Sequence, residues 1–75
     1  MGLGDEILSI VRSRRPTFRE LVEELVSRGI IVDSAEVRRV VAEMVRLGVV
    51  CKEWDSEVKR FRFYPCEEVV QERSG

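Results

Sequence analysis

Seventy-five residues suffice for one small domain with one core and leave little room for a catalytic cleft. Apolar residues at 44% and charged residues at 36% exclude a disordered chain. A formal net charge of −1 excludes the uniformly basic surface of a non-specific nucleic-acid coat, so any DNA binding must come from local charge arrangement.

Asp5 and Glu6 suit the positive end of a helix dipole, and Leu3, Ile7, Ile10 and Val11 follow at i, i+4, i+7 and i+8. A first helix is expected over about 4–14, stopped by Pro16, which disfavours helix at Arg15. In "TFRELVEELVSRG", Thr17 and Glu20 have the spacing of a capping box, and Gly29 suits a left-handed C-terminal cap. A second helix is expected over about 18–28, burying Leu21, Val22, Leu25 and Val26, joined by Phe18. "IIV" reads either as a small strand or as a plug in the core. Asp33 and Glu36 form a second capping-box pattern, and Val37, Val40, Val41, Met44 and Leu47 line one face up to Gly48. A third helix is expected over about 34–47.

After Gly48 the apolar period changes from 3.6 to 2. Strands are expected over about 49–54 and 58–64 around the tip "DSE", with Phe61 and Phe63 as the core pair and Pro65 ending the second strand. Trp54 is expected to pack over the hairpin end. Residues 66–75 read as a turn of helix and a tail. The expected class is therefore α+β, a three-helix bundle followed by a β-hairpin in a single domain spanning 1–75.

The stretch "TFRELVEELVSRGIIVDSAEVRRVVAEMVRLGVVCKEWDSEVKRFRFYP" resembles small archaeal winged-helix DNA-binding proteins related to the MarR and ArsR groups. Ser34, Val37, Arg39, Val41, Met44, Gly48 and Val50 follow, with small offsets, the pattern of their recognition helix and first wing strand. The resemblance covers about residues 4–65. It implies a winged helix-turn-helix whose third helix enters the major groove of duplex DNA, and a small transcriptional regulator. The little affinity that one domain of this size supplies makes a homodimer on a palindromic site the expectation. A cytoplasmic location is the simplest reading of a chain with two cysteines and no span or leader.

On that reading Ser34, Ala35, Arg38, Arg39 and Arg46 lie on the exposed face of the third helix, where an arginine can grip guanine O6 and N7. Arg12, Arg14, Arg15 and Arg19 in "RSRRPTFR" form a basic turn with no acid among them; with Thr17 it would meet the phosphate backbone. Lys52, Lys59, Arg60 and Arg62 on the hairpin would track phosphates. Each basic group also has a bland reading: Arg38 and Arg39 as a solvated face paired with Glu36 or Glu43, and the arginine turn as neutralising Glu20, Glu23 and Glu24. The acidic tip, Asp55 and Glu57, departs from the DNA-binding pattern and favours the alternative of a winged-helix protein-interaction module in a transcription, replication or membrane-remodelling assembly. A homodimer would use helix one or residues 66–73, with Val69 and Val70 at the contact.

Two cysteines are too few for a disulfide framework. The expected register sets Cys51 near Phe61, so Cys51 and Cys66 read as plain buried or edge thiols. With no histidine they cannot complete a four-ligand zinc site. No cofactor, metal or enzymatic activity is expected. The N-terminus lacks a basic leader and cleavage site, and no apolar run reaches the roughly 18 residues of a membrane span. Eleven arginines against two lysines, no Asn and the lone Gln71 fit a thermophile or, equally, a GC-rich genome.

Overall fold

The computed structural model describes residues 2–67. The order is α1 (Leu3–Ser13), α2 (Phe18–Ser27), α3 (Ser34–Arg46), β1 (Val50–Asp55) and β2 (Arg60–Pro65). Over the described residues the protein is thus α+β: three helices followed by an antiparallel two-stranded hairpin.

Local chemistry sets the helix ends. Thr17 Oγ1 accepts from Glu20 N at 3.2 Å and Thr17 N donates to Glu20 Oε1 at 3.1 Å, so both halves of the capping box form. Asp33 caps α3 through Ala35 N at 3.0 Å. The second capping box does not form, because the Glu36 carboxylate accepts from Arg39 instead. Both α2 and α3 end in Schellman turns. Ile30 N donates to Leu25 O and Gly29 N to Val26 O; Val49 N donates to Met44 O and Gly48 N to Val45 O. Gly29 and Gly48 supply the required positive φ, 83° and 79°.

Ile7, Ile10, Val11, Leu21, Leu25, Val37, Val41, Val50 and Phe63 form one core. Of the apolar stripe of α1, Ile7, Ile10 and Val11 lie inside it and Leu3 packs against its edge. "IIV" forms no strand: Ile30 and Val32 pack on the core while Ile31 points outward. Val26 and Leu47, expected in the core, are exposed, each lying at the C-terminal end of its helix.

The hairpin departs most from expectation. Its turn takes four residues, 56–59, closed by Lys59 N donating to Asp55 O at 2.7 Å with Lys59 at φ 58°. The longer turn shifts the register, so Cys51 faces Tyr64 rather than Phe61, and Trp54 faces Phe61. Cys66 then falls on the Cys51 face, diagonal to it. The two form a disulfide with Cα atoms 5.1 Å apart, which corrects the reading of plain thiols. Phe63 and Val50 anchor one sheet face in the core, but the hairpin outgrows the helices. Phe61, on the same face nearer the tip, is therefore 44% exposed. The arginine turn docks on β2, with Phe63 N donating to Pro16 O at 2.9 Å and Thr17 bridged to Arg62.

Candidate nucleic-acid interface

At 100° per residue, the outward surface of α3 divides into two strips. Ser34, Ala35, Arg38, Ala42 and Val45 form one. Glu36, Arg39, Glu43 and Arg46 form the other, where Arg39 binds Glu36 and Arg46 binds Glu43 as i, i+3 ion pairs. Arg39 and Arg46 are thus tied to acids on their own helix, and the sequence pattern had placed them with Arg38 on one face.

Arg38 behaves differently. Its guanidinium lies 4.4 Å from the centroid of the Phe18 ring, a cation–π stack that holds the planar group without neutralising it. It opens onto a groove of about 580 Å³ between α3, the start of α2 and the hairpin. The charged residues lining that groove are Arg19, Arg38, Lys52, Lys59 and Arg60, with no carboxylate among them. Only Arg19 has an acid partner among the described residues, Glu23 at 3.4 Å. The apolar walls include Phe18, Ala42, Val45 and Phe61.

The arginine turn is arranged otherwise. Arg14 meets Glu24 at 3.1 Å, Arg15 meets Glu53 at 3.6 Å and Arg12 meets Glu67 at 3.0 Å. These pairs are exposed, and such contacts contribute about 0–1 kcal/mol. They hold the guanidiniums weakly, but the facing carboxylates still repel an incoming phosphate. Thr17 is 4% exposed with its hydroxyl capping α2, so it belongs to the scaffold and not to a contact surface.

Arg62, expected to track phosphates, points away from the groove. Its Nε donates to Asp55 Oδ2 at 2.7 Å and its Nη1 to Arg15 O at 2.8 Å and Glu20 Oε1 at 3.1 Å. Hydrogen bonds from Arg62 and then from Glu57 N hold the Asp55 carboxyl below its ordinary value. The acidic tip is therefore partly structural, since Asp55 shapes the turn and is neutralised by Arg62.

The structure thus gathers Arg19, Arg38, Lys52, Lys59 and Arg60. It leaves Arg14, Arg15, Arg39 and Arg46 on acids. Ser34 and Ala35 start the groove-side strip and are exposed. Phe18 as the seat of Arg38 escaped the sequence reading, which assigned it only to the core. No helix among the described residues is long and apolar enough to cross a membrane. Comparison with family models, curated proteins and solved structures finds no match to the chain.

Proposed function

We propose that the protein is a winged-helix protein that binds duplex DNA, with α3 as recognition helix and the hairpin as wing, serving as a transcriptional regulator. One observation carries this reading. In a chain of net charge −1, five cations converge on one groove whose lining holds no carboxylate. A polyanion is the ligand class that such segregation suits, because charge scattered for solubility alone would be mixed in sign. Arg38, stacked on Phe18 and unpaired with any acid among the described residues, is the candidate base reader; Lys52, Lys59, Arg60 and Arg19 are candidate phosphate contacts. A single domain of this size offers a small contact area, which favours a two-fold dimer on a palindromic site. The candidate dimer residues Val69 and Val70 lie outside the described residues.

The arginine turn supports a second reading, a protein-interaction module, because its guanidiniums already face acids. Duplex titrations separate the two. Four to five phosphate contacts give a slope of log affinity against log salt of roughly −4, at about 0.9 per contact. Arg38→Ala is expected to weaken duplex affinity by about 1–3 kcal/mol, the worth of a bidentate guanine contact. Arg39→Ala is expected to lose far less, with melting temperature nearly unchanged in both. A flat salt response, or equal losses from the two substitutions, rejects this assignment.

A further inference from the structure

Phosphate contacts account for the groove's cations but not for the exposed Phe61 ring in its wall. Phe61 and Trp54 sit directly opposite each other on the two strands, with centroids 5.2 Å apart and planes at 76°. They remain 44% and 53% exposed, beyond the end of the core. Lys52 Nζ lies 4.9 Å from the Phe61 centroid, and Lys59 and Arg60 line the same groove. None of these three cations has a carboxylate partner among the described residues. An exposed ring beside cations supplies the two components of a single-strand site: a base stacks on the ring while the cations follow the backbone.

We infer that the hairpin face carries a platform for unpaired nucleotides of DNA, with a base stacking on Phe61, which Trp54 braces edge-on, and the phosphodiester held by Lys52, Lys59 and Arg60. The inference extends the duplex-binding reading: the chain would engage a duplex flanked by a short unpaired stretch. Trp54 itself lies beside Glu53, Asp55 and Glu57, outside the groove. A merely structural role for Phe61, as a cross-strand contact stiffening the hairpin, calls for neither the cations gathered beside it nor the absence of acids from the groove it lines.

Trp54 is the only tryptophan, so its emission reports on the platform directly. Three probes suffice: a blunt duplex, the same duplex with an oligo-dT overhang, and oligo-dT alone. Oligo-dT is expected to quench Trp54 emission in the unaltered protein, and the overhang is expected to bind about five- to hundredfold tighter than the blunt duplex. Phe61→Leu, which keeps an apolar side chain but removes the ring, should bring that ratio close to one. Absence of quenching together with a ratio near one in the unaltered protein overturns the platform, as does a ratio that survives Phe61→Leu. Binding of oligo-dT without the blunt duplex supports the platform and removes the duplex reading. Binding of the blunt duplex alone does the reverse, and binding of neither removes both.

Discussion

Two arginines show how position decides role. Arg38 and Arg62 are both single cations on element surfaces, yet Arg38 rests on a ring and keeps its charge available. Arg62 is consumed by three acceptors, Asp55, Glu20 and the Arg15 carbonyl, and so fastens the hairpin tip to the start of α2. This hub has a pH signature. The Asp55 carboxyl is held below its ordinary value of 3.8, first by the Arg62 hydrogen bond. The folded state therefore binds this proton less readily than the unfolded chain does. The resulting stabilisation is complete above pH 3.8 and disappears as pH falls through the lowered folded value. Urea midpoints measured from pH 6 down to pH 2 are expected to fall more steeply at the acid end for the unaltered protein than for Asp55→Asn. Parallel curves would show that the Asp55–Arg62 contact contributes nothing to folding.

At the scale of elements, the caps bear most directly on stability. Gly48 ends α3 at φ 79°, and a Cβ added there meets no atom within 4 Å. The penalty for Gly48→Ala is therefore one of backbone conformation alone, about 1–2 kcal/mol. Gly48→Asn is expected to restore part of it, because asparagine tolerates the left-handed region. Chemical denaturation of the two variants checks this; an alanine variant as stable as the original would contradict the Schellman turn. Such turns were legible in the sequence because Gly, Thr and Asp act within a few residues of their own position. The helix spans followed for the same reason, each within a residue or two of expectation. The hairpin was less legible. Nothing local announces that Lys59 takes a left-handed conformation, and that one residue sets the register, the Cys51–Cys66 pairing and the outward display of Phe61. The candidate site was readable only in part, since Arg38 and Arg39 are neighbours in sequence. The Phe18 ring and the Glu36 carboxylate that separate their roles arrive through packing.

For the molecule as a whole, the question is what secures a hairpin that outgrows its core. A domain of 75 residues gains only a few kcal/mol net from its core. The Arg12–Glu67 pair beyond β2 is exposed on both sides and contributes at most about 1 kcal/mol. The Cys51–Cys66 bond closes a loop with a sequence separation of 15, for which restriction of the unfolded chain gives about 3 kcal/mol. The bond is therefore the larger effect, comparable to the net contribution of the core. Bonds of this kind persist in oxidising compartments and in intracellular proteins of hyperthermophiles. Cys51→Ser, Cys66→Ser and the double variant are each expected to lose about 3 kcal/mol, without additivity, and reductant should lower the unaltered protein to the same level. The loss should also reach the groove unevenly. Lys52, Lys59 and Arg60 ride on the hairpin that the bond secures, whereas Arg38 is held by α3 and Phe18. Reduction is thus expected to flatten the salt dependence of DNA binding while leaving the penalty of Arg38→Ala largely intact. Identical stability and identical salt slopes with and without reductant would show that the hairpin needs no covalent tether.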